Sequence, residues 1–192
     1  MSRFKIFLLL QFFVFTLPVL AQVDTAWVRR YNGPGNNVDV AGALAVDDSG
    51  NVYVTGSSVG SGTASDYATI KYASNGDTLW VRRYNGPTDS SDGANDIAVD
   101  DNGNVYVTGN SWGSGTNRDY ATIKYAPNAD TLWVRRYIGP GNYWDHTTAL
   151  AVDNSGHVYV TGVSVFGYGT VKYAPNGDTL WVRRYENGFA KA

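Results

Sequence analysis

The sequence predicts an all-β fold: a β-propeller of three complete four-stranded antiparallel blades plus an orphan N-terminal outer strand, in an incomplete ring. Two observations predict it. The segment Trp-Val-Arg-Arg-Tyr recurs at spacings of 53, 53 and 48 residues, starting at Trp27, Trp80, Trp133 and Trp181. Each interval holds four short runs of β-branched and aromatic residues between turn residues. Four strands in a period of about 50 residues are typical of a propeller blade.

Each repeat contains four predicted strands, labelled a, b, c and d in chain order. Strand b carries Val-Tyr-Val-Thr-Gly, and strand c carries Tyr-Ala-Thr-Ile-Lys-Tyr or, in the third repeat, Tyr-Gly-Thr-Val-Lys-Tyr. Such runs favour strands, and no helical period competes with them. The Asp-, Asn-, Ser- and Gly-rich connections favour tight hairpin turns. Asn128-Ala129 is an exception, and we expect a different turn or a small strain there because alanine tolerates positive φ poorly.

The chain divides into a leader and one repeat domain. Residues 1–21 are a predicted signal peptide and residues 22–192 form the propeller domain. The predicted blades cover about residues 43–85, 97–137 and 149–185, and the extra strand covers residues 24–32.

The N-terminus has the three parts of a secretory signal peptide. Arg3 and Lys5 are positive, residues 6–17 are mostly apolar, and a cleavage site follows at Ala21. The apolar run is short for a membrane span of about 20 residues. We therefore expect cleavage near Ala21 and a secreted or cell-surface protein, periplasmic or extracellular, without a membrane segment after cleavage.

Three segments together resemble the bacterial SBBP repeat family of seven-bladed β-propellers. They are Gly-Asn-Val-Tyr-Val-Thr-Gly, Asp-Tyr-Ala-Thr-Ile-Lys-Tyr and Trp-Val-Arg-Arg-Tyr-Asn-Gly-Pro, and the resemblance extends over residues 24–185. It implies a secreted or cell-surface propeller and no general catalytic role. Three complete blades depart from this pattern, because rings typically close with about four to eight blades.

An arc of three blades would expose two blade faces and their edges, which favours association. The chain could be a fragment of a longer propeller, it could self-associate to complete the ring, or it could remain an open arc. The fragment is favoured and self-association comes second. In a longer protein, residues 24–32 would be the outer strand of a blade whose other strands come from the C-terminus.

Composition argues against several functions. The formal net charge is −2 with no basic cluster, which predicts no nucleic-acid partner. Without cysteine and with two histidines, the chain offers no thiol nucleophile, and we expect no catalytic residue, metal site or cofactor. We expect non-catalytic binding of a protein or carbohydrate ligand. The alternatives are a propeller lyase or hydrolase whose catalytic blades are missing, and a purely structural repeat.

Antiparallel strands place the d–a and b–c loops on the same rim of the propeller. Aspartates recur in both kinds of loop at a spacing of 53 residues, namely Asp39, Asp92 and Asp145, and Asp66 and Asp119. These carboxylates could cap loop N–H groups, or they could bind a divalent ion or a polar ligand.

The third d–a loop differs most from the others, because Tyr143, Trp144 and His146 stand where the first repeat has Asn37, Val38 and Val40. Variable loops on a rigid scaffold are a usual place for binding specificity. The aromatic side chains suit a carbohydrate or peptide, although they could equally cover the seam between blades. The predicted ligand-binding residues are Tyr143, Trp144, Asp145, His146, Asp39 and Asp92.

Other repeated residues are interpreted structurally. Asp47, Asp100 and Asp153 could contribute to a calcium site, but the turns lack a distal bidentate carboxylate, so a turn role is favoured. The strand-d tryptophans are predicted to pack between blades and Trp112 to pack at a strand end. The strand-c lysines, at Lys71, Lys124 and Lys172, are predicted to be solvated edge charges.

Overall fold

The structure, a computed structural model, describes residues 24–165 and 167–186. The predicted signal peptide and its cleavage site lie outside these residues. Within them, twelve strands form three four-stranded antiparallel sheets. This confirms the all-β class and the prediction of three complete blades in an incomplete ring. In this part of the chain no helix is long and apolar enough to cross a bilayer.

Each blade is a meander of four consecutive strands, so predicted strands a to d occur in order. Blade 1 contains β1 (Asp39–Val46), β2 (Val52–Val59), β3 (Ser65–Tyr72) and β4 (Thr78–Tyr84). Blade 2 contains β5 (Gly93–Val99), β6 (Val105–Trp112), β7 (Arg118–Tyr125) and β8 (Thr131–Tyr137). Blade 3 contains β9 (His146–Val152), β10 (Val158–Ser164), β11 (Gly167–Tyr173) and β12 (Thr179–Glu186).

The inner strand of each blade begins earlier than predicted. The strands β1, β5 and β9 start at Asp39, Gly93 and His146. The blades predicted from the sequence started at about residues 43, 97 and 149. In each strand the pairing register shifts after the first residues, and the residues passed over are Gly42, Asn95 and Thr148. Such a bulge interrupts the alternation of side chains, so the first residues of these strands resemble a loop in sequence.

The c–d turns require a left-handed residue. Gly76 and Gly177 occupy this position with φ 87°, and Ala129 occupies the equivalent position in blade 2 with φ 74°. This conformation costs an alanine roughly 1–2 kcal/mol. The strain predicted at Asn128-Ala129 is therefore confirmed.

The hydrophobic core lies in the seams between blades. Tyr53 and Tyr67 of blade 1 pack in one cluster with Val105, Val107 and Ile123 of blade 2, and each is at most 1% exposed. The next seam repeats this packing with Tyr106 and Tyr120 against Val158, Val160 and Val171. Full burial of such side chains contributes roughly 1.5–3 kcal/mol each, so the seams stabilise the stack of blades.

The strand-d tryptophans hold the outer side of each seam. Trp80 Nε1 donates to the Pro127 carbonyl of the next blade at 3.2 Å, and the ring centroid of Trp80 lies 6.3 Å from that of Tyr125. Trp133 Nε1 donates to the Pro175 carbonyl at 3.1 Å. The predicted packing role of these tryptophans is confirmed.

Residues 24–32 do not form the predicted extra strand. A strand requires a neighbouring ladder, and none of the described residues provides one for this segment. Trp27 nevertheless packs on blade 1 as Trp80 packs on blade 2. Its ring centroid lies 5.9 Å from that of Tyr72, and its Nε1 donates to the Ser74 carbonyl at 3.0 Å. The segment thus takes the place of the outer strand of a preceding blade.

The prediction that the strand-c lysines are solvated edge charges is wrong. Strand c has a neighbour on both sides in every sheet, and Lys124 is only 8% exposed. The Lys124 ammonium lies 5.0 Å from the centroid of Tyr106, and Lys71 lies equivalently 4.9 Å from Tyr53. These contacts favour the cation over an aromatic face within the blade.

Candidate functional site

The d–a and b–c loops meet on one rim, as predicted. Between blades 1 and 2, Asp92 N donates to the Ser65 carbonyl at 2.6 Å. Between blades 2 and 3, Asp145 N donates to the Arg118 carbonyl at 2.7 Å, and Asn117 Nδ2 donates to the Asn142 carbonyl at 2.8 Å. These hydrogen bonds tie the second and third d–a loops to the b–c loop region of the preceding blade.

The recurring d–a aspartates brace their own loops. The Oδ2 atoms of Asp39, Asp92 and Asp145 each accept the N–H of the glycine six residues earlier, at 2.9, 2.5 and 2.6 Å. Asp92 is 2% exposed and Asp145 is fully buried. The geometry therefore supports the capping role for these carboxylates, and it leaves Asp92 and Asp145 little surface for a ligand.

Burial has a second effect on Asp145. It raises the pKa of the carboxyl group and outweighs the hydrogen bond from the Gly139 N–H, and the negative charge of Asp119 acts in the same direction as burial. Asp92 shows the same upward shift of its pKa, again chiefly from burial. Both carboxyl groups are therefore buried in the protein and have almost no contact with solvent.

A buried ion pair, which the sequence reasoning missed, lies beneath the rim in two blades. Arg136 Nη2 donates to Asp119 Oδ2 at 2.8 Å and to the Ser111 carbonyl at 2.8 Å. Arg83 and Asp66 repeat the pair at 2.9 Å in blade 1. The signal in the sequence was the second arginine of each strand d combined with the aspartate before strand c.

Blade 3 lacks this pair because Gly167 stands where blades 1 and 2 have aspartate. Its b–c loop is also shorter, since only residues 165–166 separate β10 from β11, against 113–117 between β6 and β7. Arg184, the counterpart of Arg136, is exposed and donates only a long hydrogen bond, 3.5 Å, to Tyr137 Oη. The rim is therefore built differently on its two sides.

An arginine lies near two tryptophans at the seam of blades 2 and 3. The Arg118 guanidinium carbon is 5.6 Å from the ring centroid of Trp112 and 5.7 Å from that of Trp144. Trp144 remains 63% exposed. Trp112 ends β6, as predicted, but it also holds the arginine that contacts the exposed indole, a role the sequence did not indicate. Cation–π contacts of this kind contribute about 0.5–1 kcal/mol at exposed sites.

Two further predicted residues complete this surface. Tyr143 precedes Trp144 in the loop and is 57% exposed. His146 is exposed at the start of β9, and its Nδ1 is hydrogen-bonded to Asn110 Nδ2 of β6. We call Trp112, Arg118, Tyr143, Trp144 and His146 the aromatic rim site. Of the other predicted residues, Asp92 lies beneath this site, where its Oδ1 accepts the Trp112 N–H at 3.0 Å. Asp39 belongs to the first d–a loop and lies outside the site.

The a–b turns use their aspartates internally. Asp100 Oδ1 accepts the N–H groups of Asn102 and Asn104 at 3.0 and 2.8 Å, and its Oδ2 accepts Asn104 Nδ2 and Tyr106 Oη at 2.8 and 2.9 Å. Burial raises the pKa of Asp100, but these hydrogen bonds outweigh it and the net pKa is lowered. The turn interpretation is supported, and the described residues contain no group of three or more potential metal ligands.

The comparison with known families agrees with the repeat. The SBBP family, a beta-propeller repeat, matches residues 26–62 and 79–115. Both matches begin near a strand-d tryptophan and run through the d–a loop and strand b, so the family unit is offset from the structural blade. No curated protein matches the chain.

Proposed function

Because this chain carries SBBP beta-propeller repeats, we propose that it is an exported, non-catalytic propeller module that binds a protein or polysaccharide through the aromatic rim site. The observation that carries the proposal is the exposed pair Tyr143 and Trp144, at 57% and 63% exposure, in a loop whose counterparts have no aromatic residue at these two positions. Exposed aromatic faces of this kind suit stacking on sugar rings or on peptide side chains.

The support beneath Trp144 favours binding rather than simple exposure. Arg118 contacts the indole and is itself placed by Trp112. Asp145, the next residue, is buried and hydrogen-bonded to Gly139 N at 2.6 Å. A side chain held in position before binding loses less entropy on binding, which raises affinity.

The two other d–a loops provide an internal comparison. Val38 and Ser91 occupy the position of Trp144, and Asn37 and Ser90 occupy that of Tyr143. The scaffold thus folds with small side chains at these positions. The aromatic residues are not required for the loop, which favours a role in recognition.

The binding proposal is tested by retention on a panel of immobilised neutral and acidic polysaccharides and peptides. We expect the protein to be retained by at least one member, and we expect the Tyr143→Ala, Trp144→Ala double variant to lose that retention. The matched control is Val38→Ala, which truncates an exposed side chain at the equivalent position of the first loop and should keep full retention. Circular dichroism of all proteins should be unchanged. Equal retention of the double variant and the wild type would remove the aromatic rim site from consideration.

Export is proposed from the N-terminal sequence, in which Arg3 and Lys5 precede an apolar run that ends before Ala21. Expression of the full chain in a bacterial host, followed by mass measurement of the exported protein, tests this. We expect a mature chain beginning at Gln22. A full-length product retained in the cytoplasm would contradict export.

A further inference from the structure

The two ends of the arc expose the two halves of an inter-blade seam. On the blade 1 end, Leu44 is 66% exposed, whereas its counterpart Ile97 in blade 2 is 6% exposed. On the blade 3 end, Tyr168 is 54% exposed, whereas its counterparts Tyr67 and Tyr120 are fully buried. We call these surfaces the head face, on blade 1, and the tail face, on blade 3.

The head face contains a groove that matches a tyrosine. A cavity of about 260 Å³ lies there between blade 1 and the N-terminal segment. The blade lines it with Gly56, Ala68 and Ile70, among others, and the segment lines it with Trp27, Arg29 and Tyr31. In blade 2 the equivalent place is filled by Tyr67 of blade 1, whose hydroxyl donates to the Ala121 carbonyl at 3.2 Å. Ala121 is the counterpart of Ala68, so the groove corresponds to the position that a tyrosine fills within the chain.

The tail face carries the side chains that fill such a seam. Tyr168, Trp181 and Tyr185 are the counterparts of Tyr120, Trp133 and Tyr137, which pack together against blade 3. The ring centroids of Tyr168 and Tyr185 lie 5.4 Å apart with 21° between the ring planes, whereas those of Tyr120 and Tyr137 lie 5.2 Å apart with 51° between the planes. The tail face therefore holds this tyrosine pair at the spacing found in the seam, but with a different ring orientation.

The charges of the two faces are also complementary. Within the chain, Arg135 of blade 2 approaches Asp178 of blade 3 at 4.0 Å. The tail face presents Arg183, the counterpart of Arg135, and the head face presents Asp77, the counterpart of Asp178. At present Asp77 is approached by Arg29 at 3.6 Å.

We propose that the tail face of one chain docks on the head face of a second copy, at both ends, so that two chains close a six-bladed ring. Six blades lie within the typical range of about four to eight, and a rotation that closes head-to-tail contacts gives a symmetric dimer. In this contact Tyr168 enters the groove of the second copy and its hydroxyl donates to the Ala68 carbonyl.

Docking requires the N-terminal segment to leave its place. Residues 27–31 have the same sequence as residues 181–185, and Trp27 occupies the site on Tyr72 that the incoming Trp181 needs. The segment therefore competes with the second copy. A variant that loosens it, Trp27→Ala, binds the second copy several-fold more tightly than the wild type.

The test is the solution mass of the mature chain, residues 22–192, by light scattering across a micromolar to millimolar concentration series. A two-chain species is expected. Leu44→Glu and Tyr168→Glu each weaken dimerisation by about a hundredfold, because each places an unpaired charge in an apolar seam. Both positions are exposed in the single chain, so folding should be retained. Leu132→Glu, at a 52% exposed site on the middle blade, is the control and leaves the dimer intact.

Mixing the two single variants distinguishes the head-to-tail contact from contacts that use two head faces or two tail faces. The Leu44→Glu chain keeps a working tail face and the Tyr168→Glu chain keeps a working head face, so the mixture should form a two-chain species through one seam. A single chain at all concentrations, a ladder of larger species, a mixture that stays single-chain, or weaker association of Trp27→Ala would each overturn the two-chain ring.

Discussion

At the scale of single residues, the buried ion pair of blade 2 should contribute far more to the free energy of unfolding than the ion pairs on the surface. Asp119 is fully buried and its carboxylate lies 2.8 Å from Arg136. Replacing Asp119 by Ala leaves the guanidinium without its partner in the seam, and we expect the free energy of unfolding to fall by about 3 kcal/mol in urea titrations.

A matched exposed pair provides the control. Asp178 has a side chain 72% exposed and lies 4.0 Å from Arg135. Asp178→Ala should change the free energy of unfolding by less than about 1 kcal/mol. Equal losses in the two variants would show that burial does not set the strength of these contacts.

The turn aspartates predict the response to acid. The folded pKa of Asp100 is lowered, since hydrogen bonds to the carboxylate outweigh its burial. A group with a lowered folded pKa stabilises the fold above its unfolded pKa, about pH 4, and this stability is lost as the pH falls through the folded pKa. We expect Asp100→Asn to lose less stability between pH 5 and pH 2 than the wild type, as measured by thermal unfolding at stepped pH.

Asp145 has the opposite effect on stability in acid, because burial raises the pKa of its carboxyl group in the folded state. A raised pKa contributes stability below the unfolded pKa, and this is lost as the pH rises through the folded pKa. Asp145→Asn should therefore increase the acid loss relative to the wild type, and a smaller acid loss in this variant would contradict the raised pKa of Asp145. A steeper acid loss in Asp100→Asn than in the wild type would contradict the assignment of the turn carboxylates.

How far the sequence predicted single residues depends on the range of their contacts. The prominent loop residues Tyr143 and Trp144 stood out because they broke the repeat, and the structure places both at the surface. The role of Arg118 did not stand out, because its contact with Trp144 joins two blades and has no fixed sequence spacing. The burial of Asp92 and Asp145 was also hidden, since it depends on the start of strand c in the preceding blade, which contacts both residues.

At the scale of elements, the c–d turn of blade 2 carries a strain that a single change should relieve. Ala129 has φ 74° where the other blades have glycine. Ala129→Gly removes roughly 1–2 kcal/mol of left-handed strain, and the greater freedom of glycine in the unfolded chain costs about 0.5–1 kcal/mol. We expect a net gain of about 0.5 kcal/mol in the free energy of unfolding.

The reverse change in blade 3 is the control. Gly177 has φ 87°, and a Cβ there would lie 2.9 Å from Cγ of Trp133. Gly177→Ala should therefore lower the melting temperature where Ala129→Gly raises it. The same sign for both changes would show that the turn conformation does not set their stability.

The strand pattern was predicted well because alternation and turn residues are local properties. Strand b begins where its repeated segment does, at Val52, Val105 and Val158, and strand c ends where its segment does, at Tyr72, Tyr125 and Tyr173. The inner strands were predicted too short because a bulge at Gly42, Asn95 or Thr148 breaks the alternation. Residues 24–32 were predicted as a strand from their sequence alone, yet a strand forms only with a partner, which the described residues do not supply.

At the scale of the whole molecule, the middle blade should be the most stable. It packs on both faces, and seven consecutive residues of β6, Val105 to Ser111, are buried. Blades of a repeat stack are stabilised by their neighbours, so the end blades have one interface fewer. In Tyr168→Glu, held as single chains, we expect hydrogen exchange to be slowest in β6 and β7 and faster in β1 and β12. Uniform exchange rates would mean that the three blades open as one unit.

Ligand recognition at the aromatic rim site is tested most directly by the indole N–H signals of the six tryptophans in a nitrogen-15 NMR spectrum, recorded while a polysaccharide or peptide retained in the panel is added. The signals of Trp144 and Trp112 should shift and saturate together. Those of Trp80 and Trp133 should stay in place, because their N–H groups are hydrogen-bonded to carbonyls in the seams. Shifts confined to Trp27 and Trp181, on the two end faces, or no shift at Trp144, would contradict recognition at this rim.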